Sequence, residues 1–213
     1  MKKTALLPLL CCLIAACNLK PEKAAKIPAT SLQTTPTPPA ITNIKDVSNT
    51  RLRATGDSVL DALRHPDMVP LGKWIHPEWK LHFSPYGYLD KQKGETLSGS
   101  EIQANFERTK ILHWGSFDGS GDPINLSVQA YLRRFVLDKD FKNAPAISVD
   151  SVMGRGNTLL NTKEVYPEAR VVEYYFPGTE AQGFMDWKTL RLLFQQREGK
   201  LWLVCIAHDE WTI

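Results

Sequence analysis

A histidine and several carboxylates are the side chains of this sequence whose types could do acid and base chemistry. His208 is followed directly by two acids, Asp209 and Glu210. A histidine beside carboxylates can act as a general acid or base when a pocket positions it. Two further acids, Asp118 and Asp186, could serve the same chemistry in a shared pocket. The candidate catalytic residues are therefore His208, Asp118 and Asp186.

The same acids also have a structural interpretation. Arginines elsewhere in the chain could pair with the carboxylates that follow His208 and hold the C-terminal end against the domain. The candidate partners are Arg133, Arg134 and Arg191. We favour such ion pairs at His208 and its neighbours. Asp186, which precedes Trp187, could be either a pocket acid or part of an anchored turn.

An acidic, glycine-rich segment, WGSFDGSGDPI, offers oxygen ligands at alternate positions. The candidate metal ligands are Asp118, Ser120 and Asp122. Calcium loops of helix-loop-helix proteins need a glycine at the sixth position and a bidentate glutamate at the twelfth. Pro123 and Gln129 stand at those two positions, so the calcium pattern fails where its geometry is strictest. We expect a tight turn, with Pro123 leading toward the next helix, and no bound metal.

Other patterns for metal, phosphate or nucleophile sites are incomplete. No two of the five histidines have the three- or four-residue helical spacing of a zinc pair. The GRGN stretch lacks the third glycine and the following helix of a phosphate loop. The sequence has no G-x-S-x-G nucleophile motif. Cys205 lies in an apolar run, LWLVCIAH, which indicates a buried and inert thiol. We therefore expect no cofactor.

The N-terminal residues, MKKTALLPLLCCLIAACN, have the pattern of an export signal. Two lysines precede an apolar run of about 12 residues, from Ala5 to Ala16. A membrane-spanning helix needs about 20 apolar residues, so this shorter run is typical of a signal-peptide core. The pattern predicts export, and an ordinary secretory signal is one form that it could take.

The end of this run, IAAC at Ile14 to Cys17, resembles the lipobox of bacterial lipoproteins. Isoleucine stands where that family most often has leucine, and the apolar requirement is met. The resemblance implies that Cys17 is diacylated and becomes the first mature residue, since two or more acyl chains give stable anchoring. Asn18 follows where an aspartate would imply retention at an inner membrane. We expect a lipid-anchored cell-envelope protein at the outer membrane, facing the periplasm.

Residues 18–50 predict a flexible tether between the lipid anchor and the domain. They are rich in Pro, Thr, Ala and Lys and show no sustained apolar periodicity. A flexible chain of this length has a root-mean-square span of roughly 30 Å. Such a tether lets the domain float clear of the lipid surface.

The charge from Arg51 onward is nearly balanced. Six basic and two acidic residues precede Arg51, which leaves 20 of the 26 basic and 21 of the 23 acidic residues for the domain. A nucleic-acid-binding protein needs an excess or cluster of cations, so no nucleic-acid partner is expected. The expected partners are the lipid bilayer and either an envelope protein or a small ligand. With Cys17 acylated, the domain keeps one thiol and no internal disulfide.

The order of the periodicities predicts a single α+β domain over residues 51–213. Helical spacing and caps predict helices that begin near Arg51, Asp67, Ser98 and Ser127, the third with a capping box. KLHFSPYGYL predicts an early strand, and β-branched and aromatic runs after about residue 145 predict an antiparallel meander that ends in a short hairpin. The later strands are AISVDSVM, RVVEYYF, KTLRLLFQQ and KLWLVCIAH. The last is apolar on both faces and should lie centrally in its sheet.

Helices followed by such a meander resemble the nuclear-transport-factor-2-like superfamily with its cystatin-like cone. The strings FSPYGY, WGSFDGSGDPI, GFMDWKTLRLLF and HDEWTI also resemble an uncharacterised family of bacterial lipoproteins and exported proteins. This second resemblance covers most of residues 51–213. Together the resemblances imply N-terminal helices packed on a curved, cone-like antiparallel sheet. They imply no activity, because such folds host isomerases, dehydratases and binding domains.

Two classes of function follow from these observations. We expect a non-enzymatic envelope module that binds a small ligand or another protein through the concave face of its sheet. The alternative is a small cone-fold enzyme of the isomerase or hydrolase type, with Asp118, Asp186 or His208 as acid and base. A mainly structural envelope protein is a third interpretation. A pocket that gathers these side chains would favour the enzyme.

Overall fold

The structure is a computed structural model that describes residues 43–154, 156 and 159–212. The predicted export signal, Cys17 and most of the predicted tether lie outside the described residues. The described fold is α+β, with five helices and a curved sheet of six strands, as the order of the periodicities predicted. In this part of the chain, no helix is both long and apolar enough to cross a membrane.

The folded part begins before Arg51, earlier than the sequence predicted. Asn43 caps a 3-10 turn at Ile44–Asp46. Ile44 and Val47 are buried and belong to the hydrophobic core. Residues 43–50 are therefore part of the domain rather than of the tether.

The described residues form five α-helices, of which two begin where their capping residues predicted. They are α1 (Asn49–Leu63), α2 (Val69–Gly72), α3 (Gly99–Phe106), α4 (Val128–Phe135) and α5 (Thr162–Val165). Ser98 forms the predicted capping box at the start of α3, and Ser127 caps α4. Asp67 is not the N-cap of α2. Met68 holds that place with a left-handed φ of 57°, while Asp67 accepts a hydrogen bond from the backbone N–H of Val69.

In the described part of the chain, eight strands form one six-stranded sheet and one hairpin. They are β1 (Leu81–Ser84), β2 (Thr96–Leu97), β3 (Leu112–Ser116), β4 (Pro123–Leu126), β5 (Ala146–Val149), β6 (Arg170–Phe176), β7 (Lys188–Arg197) and β8 (Lys200–Glu210). The sheet has the order β2-β1-β8-β7-β6-β5. β8 is buried on both faces and lies between β1 and β7, which confirms the predicted central strand. Arg197 pairs with Lys200 across the predicted hairpin turn.

Two features of the strands contradict the sequence prediction. The sheet is not wholly antiparallel, because β1 runs parallel to β8, with His82 opposite Cys205. A parallel pair needs a long connection, and most of the domain separates these two strands. The second feature is the hairpin of β3 and β4. Pro123 does not lead into a helix but is the first residue of β4, where a proline is tolerated.

Apolar side chains cover both faces of the six-stranded sheet. On one face, the alternate β7 residues Leu190, Leu192 and Phe194 belong to a large hydrophobic cluster. This cluster also contains residues of α1 to α4. On the other face, Leu193 and Cys205 pack in a smaller cluster with Tyr166. Trp114 of β3 stacks on Tyr131 of α4 with ring centroids 3.9 Å apart. This stack joins the hairpin to the large cluster.

Candidate functional site

A pocket of about 580 Å³ lies where the end of β1, the loop before β2 and the strand β3 meet. Small-molecule sites commonly have volumes of about 300–1,000 Å³. Three strings singled out in the sequence converge here: FSPYGY, WGSFDGSGDPI and HDEWTI. One side of the pocket is formed by residues 84–88, which we call the pocket wall. The pocket therefore gathers segments that are far apart in the chain.

The pocket wall is fixed both by its own hydrogen bonds and by β8. Oγ of Ser84 donates to the carbonyl of Tyr86 at 2.7 Å, which holds the turn closed. Nδ1 of His208 lies 3.2 Å from the carbonyl of Pro85, and because a carbonyl only accepts, Nδ1 carries the hydrogen. A Cβ at Gly87 would lie 2.5 Å from Oδ2 of Asp209, so only glycine allows this approach. The wall thus rests directly on the last strand.

The facing side of the pocket is built by β3 and the turn that follows it. Nε1 of Trp114 donates to the carbonyl of Leu126 at 2.9 Å, which ties β3 to β4. Gly115, with a φ of 108°, lies in an irregularity of the β3–β4 register. Gly119 and Gly121 also have positive φ and allow the chain to reverse. The glycine-rich segment is therefore the turn that the sequence predicted, set between two strands.

Aromatic and charged side chains give the pocket its chemical character. Tyr86 and Phe117 are half-buried, and Tyr88 is 53% exposed. Burial raises the pKa of Tyr86, although the backbone of Asp118 opposes the shift, so its hydroxyl stays neutral at ordinary pH. The charged lining comprises Asp90, Lys93 and Asp118. The pocket can therefore offer ring faces to a flat apolar group and carboxylates to hydrogen-bond donors.

The candidate metal ligands of the glycine-rich turn hold the turn itself. Oδ1 of Asp118 accepts from the backbone N–H of Gly119 at 3.1 Å, and Oγ of Ser120 accepts from the N–H of Asp122 at 3.2 Å. Oδ2 of Asp118 accepts from the hydroxyl of Thr212 at 2.5 Å. These bonds account for Asp118 and Ser120 as structural residues of the turn, in agreement with turn chemistry.

The three candidate catalytic residues do not lie together. Asp118 lines the pocket. Asp186 accepts from the backbone N–H of Thr179 at 2.6 Å, a hydrogen bond that lowers its pKa and anchors a turn. His208 is fully buried behind the pocket wall. The pocket thus contains one of the three residues that acid and base catalysis was expected to use.

No model of a known protein family matches this chain, and neither does any curated protein.

The predicted pairing of acids with arginines is present at the end of β8. Nη2 of Arg134 lies 2.6 Å from Oε1 of Glu210, and Nη1 of Arg191 lies 3.1 Å from Oδ2 of Asp209. Arg133 instead donates to Gln129. The predicted structural interpretation is therefore confirmed for Arg134 and Arg191.

A partly buried ion cluster lies beside His208 and was not predicted. Nζ of Lys188 contacts Oδ2 of Asp138 and lies 2.6 Å from Oε2 of Glu210. Nε2 of His208 lies 3.3 Å from Oδ2 of Asp138, within ion-pair distance but without the alignment of a hydrogen bond. Burial tends to raise the pKa of Asp138, but His208 and Lys188 outweigh it, so the pKa lies below its usual range. Asp138 follows α4 in a run of alternating charges, which gives no sequence signal for this contact.

A second buried network connects β6, β7 and β8. Arg191 is 3% exposed and lies between Asp209 and Glu173, with Nη2 3.4 Å from Oε1 of Glu173. Glu173 also accepts from the backbone N–H of Gly154 at 2.8 Å. Burial raises the pKa of Asp209, although Arg191 opposes this shift. The network thus fixes one of the two β8 residues that support the pocket wall.

Cys205 is buried next to His82, the arrangement that a cysteine nucleophile and its histidine base would have. Both side chains, however, are neutral at ordinary pH. Sγ of Cys205 lies 3.8 Å from Nδ1 of His82. Burial raises the pKa of Cys205, and it lowers the pKa of His82 to about 4. Thiolate chemistry needs a depressed thiol pKa. This arrangement supports the predicted inert thiol.

Proposed function

We propose that this protein is a lipid-anchored protein of the cell envelope that binds a small molecule in the pocket between the pocket wall and β3. The observation that carries the proposal is the pocket itself. It has the volume of a small-molecule site, and its sides are held in place by the buried residues His208 and Trp114.

The lining indicates the kind of ligand. Tyr86, Tyr88 and Phe117 can stack on a flat or ring-shaped group. Nζ of Lys93 lies 3.7 Å from Oδ2 of Asp90, so this pair at the pocket is open to a polar partner. The two carboxylates outnumber the single ammonium. A ligand with an apolar ring face and hydrogen-bond donors, including a sugar-like one, fits this lining best.

The proposal includes the location and the arrangement of the domain. The sequence pattern around Cys17 supports diacylation and placement at the outer membrane, facing the periplasm. The chain from Cys17 to Asn43 is long enough to hold the domain clear of the lipid. We also propose the cone-like arrangement, with helices against the concave face of the sheet. It is supported by the joint packing of α1 with the β7 side chains Leu190 and Leu192.

The enzyme alternative receives less support. A cone-fold isomerase or hydrolase would need an acid and a base on the same substrate. Asp118 lines the pocket, but Asp186 anchors a distant turn and His208 is fully buried. Binding without reaction is therefore the simpler use of this pocket.

Native mass spectrometry of the membrane-extracted protein tests the proposal. Ser116 is exposed and lines the pocket, so Ser116→Trp should fill part of the volume without disturbing the core. The wild-type protein should carry a small molecule at a reproducible mass, and Ser116→Trp should lose it. Ser58→Trp, on the exposed side of α1, is the matched control and should retain it. Repeated recovery of the bare wild-type protein, or equal retention by both variants, would count against the proposal.

A further inference from the structure

We propose that Asp138, His208 and Glu210 form a site for a divalent transition-metal ion, with the ammonium of Lys188 holding the position of the cation when no metal is bound. The three residues each offer one ligand atom, and these atoms lie within 4.8 Å of one another. His208 and Glu210 are two residues apart on β8 and so project from the same face of the strand. Asp138 reaches them from the segment after α4.

His208 is oriented as a metal ligand would be. Its Nδ1 donates to the carbonyl of Pro85, so Nε2 is the ring nitrogen left to hold a proton or a metal ion. A metal-binding histidine commonly donates its other ring N–H to a carbonyl or carboxylate in this way. His208 is 0% exposed, and its Nε2 has no hydrogen-bond partner among the described residues.

The position of Nε2 suits a cation. It lies 3.3 Å from Oδ2 of Asp138, a contact that a proton on Nε2 makes as an ion pair and that a metal ion replacing this proton would take over. Oδ1 of Asp138 is also buried and lacks a hydrogen-bond partner in the described part of the chain. Nε2 of His208 and Oδ1 of Asp138 are therefore two buried atoms that can bind a metal ion. A cluster of exposed carboxylates would not provide such atoms.

Lys188 is the competitor for this position. Its ammonium contacts both carboxylates, and its side chain is 21% exposed at the edge of the cluster. The flexible four-carbon stem allows the ammonium to move into solvent when a metal ion enters. The ion then replaces one positive charge near two carboxylates, while Arg134 continues to pair with Glu210.

The ligand set favours zinc, with cobalt as its spectroscopic substitute. One imidazole and two carboxylates without a thiolate suit borderline ions such as Zn²⁺. Three protein ligands leave a fourth position for water or a ligand atom. This inference does not depend on the small molecule of the proposed function, because metal binding is measured without it.

Metal titration of the chelator-treated protein tests the inference, with calorimetry for Zn²⁺ and visible absorption for Co²⁺. The wild-type protein should bind one equivalent. Lys188→Met should bind roughly tenfold more tightly because the competing ammonium is gone, and His208→Gln should bind at least tenfold more weakly. Arg133→Met, which changes an exposed arginine of α4, is the control and should match the wild type. Glu210→Gln gives a second ligand variant should His208→Gln not fold.

Three outcomes would overturn the inference. The first is a folded Lys188→Met protein that binds neither metal at millimolar concentration, which would leave the cluster as an ion network alone. The second is metal binding by Lys188→Met but not by the wild type. The ammonium of Lys188 would then exclude the metal ion from the natural protein. The third is unchanged binding in both ligand variants. Circular dichroism of each variant establishes folding before any titration is interpreted.

Discussion

His208 donates from Nδ1 to the carbonyl of Pro85, which joins the central strand of the sheet to the pocket wall. The next residue of β8, Asp209, lies so close to Gly87 that no side chain fits between them. Two consecutive residues of a buried strand therefore set the position of the wall. The shape of the pocket depends on side chains that do not line it.

Gly87→Ala should destabilise the protein and distort the pocket. The added Cβ would lie 2.5 Å from both Oδ2 of Asp209 and Cδ2 of Leu160, and overpacking of this kind costs about 1–3 kcal/mol. Urea denaturation measures the loss. Gly72→Ala is the control, since its Cβ would meet nothing closer than 3.9 Å, and it should be neutral or stabilising. Equal stability of the two variants would mean that the wall does not rest on Asp209 as described.

Arg191→Met should cost about 3–5 kcal/mol of the free energy of unfolding, because it leaves Asp209 and Glu173 buried without their cation. Adding Glu173→Gln and Asp209→Asn to this variant removes the uncompensated charges and should recover part of the loss. Arg133→Met, at an exposed position, should change stability by less than about 0.5 kcal/mol. Chemical denaturation of the wild type and the three variants gives the comparison. A loss below about 1 kcal/mol for Arg191→Met would show that the network is not closed to water.

The protein should become less stable as the pH is lowered, because of His82. Its pKa is 6.5 in the unfolded chain and about 4 in the folded protein, since burial, with the charge of Lys91, disfavours the imidazolium. The unfolded state therefore takes up a proton first as the pH falls. The contribution of His82 to stability is complete above pH 6.5 and is lost progressively down to about pH 4, at about 1.4 kcal/mol per pH unit.

His82→Gln, which does not titrate, should lack this part of the pH dependence. The measurement is the difference between the free energies of unfolding of the wild type and the variant across the same pH range. His113→Gln is the control, because His113 is exposed on β3. A pH-independent difference between the wild type and His82→Gln would contradict the prediction.

Cys17→Ser should abolish membrane attachment, because it removes the thiol at which we propose the protein is acylated. The variant should be recovered in soluble fractions, whereas the wild type should partition into detergent with the mass of a diacylated N-terminus. Cys12→Ser, within the same apolar run, should leave both properties unchanged. An unmodified wild-type N-terminus that keeps the leader would contradict the prediction.

Local signals were enough to predict much of the fold. Ser98 and Ser127 cap helices through hydrogen bonds to residues three positions away, so the chain near each cap contains the whole signal. The apolar run of β8 predicted a strand covered on both faces, because a strand of that composition needs cover on each side.

Pairing between distant segments could not be predicted in this way. The sequence of β1 contains no signal for the direction of its neighbouring strand. Nothing local therefore indicated β8 as its parallel partner. β3 and β4 are short, and the glycine-rich turn between them drew attention to metal ligands rather than to strands. Trp114 of the hairpin stacks on Tyr131 of α4, a contact between elements that no local pattern indicates.

The candidate site was predicted in part. FSPYGY, WGSFDGSGDPI and HDEWTI were singled out as separate strings, and the structure shows that they share one pocket. The ion cluster beside His208 was not visible from the chain. Asp138 and Lys188 are 50 residues apart, and they meet where the end of α4 packs on β8 through Phe135 and His208.

The position of β8 has a consequence for biogenesis. β8 leaves the ribosome after the other seven strands, yet it occupies the middle of the sheet and supplies the ladder that β1 and β7 share. The two halves of the sheet cannot join until this strand arrives. β1 and β2 therefore stay separate from β5, β6 and β7 until the last strand of the described chain has been synthesised.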